Sequence, residues 1–290
     1  MSYYRGKYNA SEERLFKLSR SKVESFIKCK RCFFLDRKLG ISQPDGFPFN
    51  LNSAVDNLLK NEFDYYRNIQ KPHPYISKIG INAVPFQHKD IEKWRANFTG
   101  VSYDHLDLKF HLFGAVDDLW INLDSQELIV VDYKATSKKA EINIDAPWQM
   151  SYKRQMEFYQ YLLRKNGFKV SDIGYFVYCN GIREKEMFDE KLEFKISLLD
   201  YTGNTNWIEK TLENLVNLLG VVTLVTAAIK LKSLATLYDA AVMLGIEIRL
   251  QAMIFLETVR NQGLLAAIGL TNTMTISQIG LNRATLIGAG

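Results

Sequence analysis

The 290-residue chain is poor in cysteine, with three, and in histidine, with four. Three cysteines exclude a disulfide-stapled scaffold and fit a reducing compartment. His73, His88, His105 and His111 are scattered without ligand spacing and are expected to be non-catalytic. No H-x-x-H pair and no Gly-rich phosphate loop occurs, so zinc-hydrolase and P-loop chemistry have no support. The charge-free stretch Asn214 to Ile229 is short of the roughly 20 apolar residues a membrane-spanning helix needs and holds Asn217, Thr223 and Thr226. It reads as an apolar helix, not a span. The opening MSYYRGKYNASEERLFKLSR lacks the apolar core of a secretory leader, and a cytoplasmic protein is expected. No internal repeat is visible.

What is present is an ordinary globular composition, with 47% hydrophobic, 24% charged and 12% aromatic residues. Such a chain is neither disordered nor collagen-like. The net charge of +5 leans towards polyanionic partners but decides nothing alone. Charge is unevenly spread: 61 of the first 220 residues are Asp, Glu, Lys or Arg, against 8 of the last 70. The break near Gly220 divides a domain at 1–219 from a low-charge, proline-free, apolar tail at 220–290.

Ser19 or Ser21 caps a helix expected to run from Lys22 to about Lys38, with Val23, Phe26, Ile27, Phe33 and Phe34 as its apolar stripe and Gly40 as its end. A second helix, Leu51 to Ile69, places Leu51, Val55, Leu58, Leu59 and Phe63 on one face and stops at Pro72 and Pro74. Strand patterns at Lys109 to Leu123 and Glu127 to Ala135 flank a polar turn and read as a hairpin. A shorter strand is expected at Ala140 to Ile144. A helix then begins near Pro147 and closes at Gly167, followed by a buried strand in GYFVYCNG, a strand in KLEFKISLLDY and a helix from Asn206 to Leu219. This order predicts an α/β domain whose mixed central β-sheet is flanked by helices.

The chemically informative stretch is GAVDDLWINLDSQELIVVDYKATSKK. In a strand, Asp132 and Lys134 project from the same face. Asp117, three residues after Gly114, falls on the wrong face of a regular strand, but the glycine permits a bulge that would re-aim it. Two carboxylates suit Mg²⁺, a hard ion that binds through one or two carboxylates plus water and phosphate oxygens, and Lys134 would stabilise charge on a phosphoryl transition state or orient the attacking water. The same spacing also suits a solvated ion pair at a strand end.

Gly114-Ala115-Val116-Asp117 with Asp132-Tyr133-Lys134, the helix SRSKVESFIKC ending at Cys29, and Gln155 to Tyr159 in QMEFY follow one another as in the PD-(D/E)XK nuclease superfamily. As a set they resemble most its RecB-like and Cas4-like branch of small stand-alone bacterial members. The resemblance covers about Leu18 to Leu219 and implies a restriction-endonuclease-like core and a metal-dependent nuclease. Asp117 and Asp132 would ligate Mg²⁺ or Mn²⁺, with the Tyr133 carbonyl a further ligand and no role for the Tyr133 side chain. Lys134 would be the catalytic lysine, and Gln155 and Tyr159 would orient it and contact the DNA backbone. Lys153 and Arg154, interleaved with aromatics, would bind a single strand. DNA, single-stranded or at ends, is the implied partner, with proteins of repair, recombination or CRISPR adaptation.

Two features depart from that branch. Where RecB-like members carry a metal-binding histidine the similar position holds Asp56, either a replacement ligand or an exposed helix residue. The iron–sulfur cluster of Cas4-like relatives needs four thiolates, whereas this chain has Cys29, Cys32 and Cys179 alone, so no complete cluster is expected. Cys29 and Cys32 are expected to pack as small apolar side chains, a residual metal site being the alternative, and Cys179 to lie in the core. The missing cysteines coincide with the charge break, which suggests that 220–290 is frameshifted or unrelated. Rival readings are a catalytically inactive DNA-end-binding module of the same fold and a tail-driven membrane or assembly protein.

Overall fold

Ser19 ends a strand and starts a helix in one residue. Its extended backbone closes the strand, and its hydroxyl accepts from the Lys22 N–H at 3.4 Å, satisfying one of the helix's free amides. A computed structural model describes the chain over residues 3–44, 46 and 50–230, with the backbone alone for 221–230. The chain divides into two units, Met1–Val216 and Asn217–Gly290. The expectation of an unrelated tail falls, from residue 231 on, outside the described residues.

In chain order the described residues contain β1 (Tyr3–Tyr4), β2 (Leu15–Ser19), α1 (Arg20–Lys28), α2 (Lys30–Phe34) continued by a π-helical turn over Leu35–Leu39, α3 (Asn50–Ile69), α4 (Pro74–Lys78), β3 (Ala83–Pro85) and α5 (Ile91–Arg95). There follow β4 (Val101–His105), β5 (Phe110–Gly114), β6 (Asp118–Asn122), β7 (Leu128–Thr136), a 3₁₀ turn at Pro147–Gln149, α6 (Met150–Lys165), β8 (Ile173–Gly181), β9 (Phe194–Thr202) and α7 (Trp207–Lys230). The strands form two mixed sheets, ordered β1-β2-β5-β4 and β3-β6-β7-β8-β9. In the five-stranded sheet β7 pairs antiparallel with β6 and parallel with β8. The expected α/β class with a mixed central sheet flanked by helices is what forms, with a second sheet beside it.

Period-2 alternation divides β7 between two layers. Ile129, Val131 and Tyr133 join Trp120, Val177 and Cys179 in an apolar cluster with Leu59 and Phe63 of α3 and Ile76 of α4. Phe63 is the centre of this layer, its ring stacked on Trp120 at 5.7 Å and on the buried His73 at 4.1 Å. Val130, Asp132 and Lys134 therefore take the other face, over which α6 runs.

Several expectations need correction. The helix from Lys22 to Lys38 is broken at Cys29, whose extended backbone ends α1 and whose Sγ caps α2 by accepting from the Cys32 N–H at 3.1 Å. Cys29 and Cys32 are joined by a disulfide and are half-exposed, so they are not packed as small apolar residues, while Cys179 is a buried free thiol. Gly40 does end the segment, in the left-handed region at φ 78°. In α3 only the Leu59 and Phe63 side faces the core, and Leu51 and Leu58 are 63% and 68% exposed. The expected strand Lys109 to Leu123 is two strands of different sheets, β5 and β6, separated by Ala115-Val116-Asp117. The hairpin is thus β6 with β7. Residues 140–144 form no strand, and α7 continues past Leu219 to Lys230. No described helix is long and apolar enough to cross a membrane.

Phe63→Ala removes the ring that both stacking partners share. It is expected to lower unfolding stability by about 3–5 kcal/mol in denaturant titration, while Leu58→Ala on the exposed side of the same helix changes it by less than about 0.5 kcal/mol.

Candidate active site

β7 is buried from Leu128 to Tyr133 and half-buried from Lys134 onward, so its polar end emerges where the apolar layer stops. Asp132 is fully buried. The Lys134 ammonium forms an ion pair with Asp132 Oδ2, yet neither carboxylate oxygen accepts a properly directed hydrogen bond. A charge buried so deeply is costly unless cations face it, and Lys134 is one.

Asp117 reaches the same place from outside any strand. It lies in the gap between β5 and β6, and its Oδ2 accepts the Tyr133 backbone N–H at 2.9 Å. Burial first, and the Asp132 carboxylate second, push Asp117 up to about 6, against the pull of Lys134, Lys60 and the Tyr133 N–H. Burial works against the charge on Lys134, but Asp132 and Asp117 outweigh it and hold its pKa above the usual lysine value. At neutral pH the residue is a cation between two acids. Its Nζ also lies 3.5 Å from the Tyr133 carbonyl oxygen, which places that carbonyl in the cluster.

Helix α6 supplies the roof. Gln155 and Tyr159 sit one turn apart, and Gln155 Nε2 donates to Tyr159 Oη at 3.2 Å. Tyr159 is buried, not a rim residue, and burial is the main cause that raises its phenol to about 12, with Arg20 opposing and Asp117 and Asp132 adding to it. Gly114 makes room for this ring. A Cβ there would lie 2.6 Å from Tyr159 Cε1 and 3.3 Å from Arg20 Cβ. The glycine is needed for close approach at the end of β5 and not for the bulge that its spacing suggested.

The structure brings Asp117, Asp132, Tyr133, Lys134, Gln155 and Tyr159 together. Asp56 of α3 stands at the margin: it accepts from Lys60 Nζ at 2.7 Å, and burial first and Asp117 second raise its pKa. Arg154 and Lys153 are otherwise engaged. The Arg154 guanidinium donates to both oxygens of Glu24 at 2.8 and 2.7 Å, tying α6 to α1, and Lys153 lies 3.8 Å from Asp145 and over the Tyr201 ring at 5.4 Å. Neither presents a free charge.

Sequence reading passed over two groups. Asp118 is fully buried, accepting from Arg67 and from Arg95 Nη2 at 3.0 Å through Oδ1, and from the Tyr133 hydroxyl at 2.7 Å through Oδ2. Arg67 Nε and Arg95 Nη1 each donate to Asp64 at 2.9 Å. The Tyr133 side chain, to which no role was given, thus braces the strand whose N–H holds Asp117. The signal was the Asp117-Asp118 doublet at a strand start, since neighbouring side chains there must take opposite sides. Arg20, the first residue of α1, is the second group: it borders Gly114 and Tyr159 and has no ion-pair partner among the described residues.

Hard oxygen donors define what the cluster can hold. Two carboxylates and a backbone carbonyl suit Mg²⁺ or Mn²⁺, which retain water and substrate oxygens as their other ligands, and lack the nitrogen or sulfur that zinc prefers. Among the described residues no group of three His, Cys, Asp or Glu side chains forms a ready-made cage. The donor set fits an ion shared with substrate.

Comparison with known families agrees with this chemistry. The profile of the PD-(D/E)XK nuclease superfamily matches residues 17–217. The chain belongs to that superfamily, whose members are typically metal-dependent nucleases. No curated protein sequence matches significantly. A solved structure titled SSO0001 aligns at 13% identity and a TM-score of 0.33, over 72% of this chain and 79% of that chain.

Asp118→Asn leaves Arg67 and Arg95 without their shared buried anion. It is expected to cost about 3–5 kcal/mol of unfolding stability, and a loss below about 1 kcal/mol would show that the network does not brace the strand.

Proposed function

We propose that the chain is a DNA nuclease that hydrolyses phosphodiester bonds with Mg²⁺ or Mn²⁺, acting on single strands or DNA ends, and that residues 1–219 carry the activity. The observation that carries this reading is the cluster around Asp132: a fully buried carboxylate paired with the Lys134 ammonium, with the Asp117 carboxylate beside both. Asp117 and Asp132, with the Tyr133 carbonyl, would hold the ion, which supplies neutralisation of phosphate charge and activation of water. Asp56 would stand as an outer acid held by Lys60.

The chain's own residues divide the remaining work. Lys134 is held protonated by the two acids, so its role is to stabilise negative charge developing on the phosphate, not to act as a base at neutral pH. The Tyr133 N–H keeps Asp117 turned inward. Tyr159, with its phenol pushed up to about 12, stays a neutral donor, and Gln155 orients it. Arg20, which has no ion-pair partner among the described residues, lies beside this pair and fits a backbone phosphate of the bound strand.

The RecB-like and Cas4-like branch is our placement within the superfamily. It is supported by the order of the Ser19-capped helix, the Asp117 and Asp132-x-Lys134 pair and the Gln155 to Tyr159 helix, and it suggests repair, recombination or CRISPR adaptation as the setting. No iron–sulfur cluster enters the proposal.

Purified full-length chain is expected to cut labelled single-stranded DNA in Mg²⁺ or Mn²⁺. EDTA should abolish cutting, and Lys134→Ala and Asp132→Asn should each reduce it at least about 100-fold, the scale of losing a main electrostatic contributor to the transition state. DNA binding with no cutting under any divalent ion would select the inactive end-binding module instead.

A pH experiment tests Asp117 separately. Its folded pKa of about 6 lies above the ordinary 3.8. The metal-free fold therefore gains from protonated Asp117 below pH 4 and loses that contribution as pH rises through about 6. A bound divalent cation needs the ionised form. Mg²⁺ is expected to raise the thermal midpoint at pH 7.5 and much less at pH 5, and equal shifts at both would argue against Asp117 as a ligand.

A further inference from the structure

We propose that Trp148 and Tyr152 form a stacking platform for unpaired bases beside the cluster, and that this platform directs the site to single strands and frayed ends. The proposal rests on the nuclease reading of that cluster for its substrate. Lys134 Nζ lies over the Tyr152 ring, 4.7 Å from its centroid. Tyr152 meets Trp148 edge to face at 5.5 Å, and Lys138 Nζ lies over the Trp148 ring at 5.0 Å. Alternating rings and cations thus lead outward from Lys134, with the indole no more than about 10 Å away, a reach of roughly three nucleotides or fewer at the 3.4 Å rise of a stacked strand.

Exposure and rigidity separate this feature from an ordinary surface aromatic. Trp148 is 56% exposed, whereas Trp94 and Trp120 are buried and Trp207 is half-buried. Yet its turn is held firmly. Pro147 fixes the backbone on one side, and on the other the fully buried Gln149 donates to the Asn143 carbonyl at 2.8 Å and to Tyr178 Oη at 3.3 Å, while its Oε1 accepts the Ala146 N–H at 2.9 Å. Lys138 is pinned in the same way, because Asn180 accepts its N–H at 2.8 Å and donates to its carbonyl at 2.9 Å. A large apolar ring held out in water on a fixed turn is costly to solvate and already ordered for a flat partner.

A nucleobase is that partner. Its π-face stacks on Trp or Tyr without regard to sequence, and neighbouring ammonium groups on flexible stems follow its phosphates. Paired bases inside a duplex keep their faces covered by their neighbours, so a ring platform rewards unpaired nucleotides. Lys134 would then meet the phosphodiester while Tyr152 and Trp148 hold the bases leading away from it.

The test uses the full chain in EDTA, so that binding is read without cutting, by anisotropy of a labelled oligothymidine and of the same strand with its bases removed at successive positions. Wild type is expected to prefer the intact strand, Trp148→Ala to lose roughly 5- to 100-fold in affinity for it and to bind both strands alike, and Trp148→Phe to restore the preference. Unchanged affinity in Trp148→Ala, equal binding of both strands by wild type, or no binding of the oligothymidine at all would each overturn the platform. Cleavage by wild type in Mn²⁺ is scored separately. Cutting with an indifferent Trp148→Ala leaves the nuclease reading and removes the platform, whereas a base-dependent Trp148 effect without cutting keeps the platform and removes the nuclease.

Discussion

The backbone N–H of Tyr133 donates to Asp117 across the space between a strand and the segment that precedes its neighbour, and the candidate site depends on this one bond. Without it Asp117 belongs to an irregular connection between two sheets, with no reason to face β7. With it, two carboxylates lie side by side at the polar end of a buried strand, and burial first, their mutual repulsion second, raise the pKa of Asp117. The N–H can do this because β7 pairs with β6 only as far as Val131, opposite Asp118, leaving the next amides on that edge to side chains.

Two layers of charge keep that strand in place, and they are insulated from each other by it. On the α3 side Asp118 is fully satisfied by two arginines and a phenol, a neutralised and hydrogen-bonded assembly with no capacity left for a ligand. On the α6 side Asp132 has an ion-pair partner but no hydrogen bond. The same residue type in adjacent positions of the fold therefore does opposite things. A saturated carboxylate braces the scaffold, and an unsaturated one retains the affinity that a hard cation or a phosphate-bound ion would use.

Close approach governs the third component. The Tyr159 ring can reach the carboxylates only because Gly114 offers no Cβ, and the strand carrying Gly114 belongs to the other sheet from the strand carrying Asp132. Helix α6 thus bridges the two sheets, and its Gln155 to Tyr159 turn lies where they adjoin. Arg154 adds to the same end by locking α6 to α1 through Glu24.

Local chemistry was legible without coordinates wherever the residue type and period sufficed. A serine cap at Ser19 or Ser21, Gly40 as a stop, the hairpin around Asp124-Ser125-Gln126, the buried strand bounded by Gly174 and Gly181 and the shared face of Asp132 and Lys134 all follow from short-range geometry. Long-range decisions did not follow. Nothing local told that Lys109 to Leu123 would divide between two sheets, because both halves alternate like one strand and β5 is drawn into the other sheet by β2, which lies far away in the chain. The half-burial of Asp56 and the engagement of Arg154 by Glu24 likewise depend on which surfaces meet. Sequence alone determined which chemical groups exist and the face on which each strand or helix presents them, since those are matters of residue type and of periods of 2 and 3.6. Only the tertiary structure decided which of those groups share a site, because juxtaposition comes from packing two sheets against α3 and α6, and burial then sets which carboxylate is saturated and which stays open.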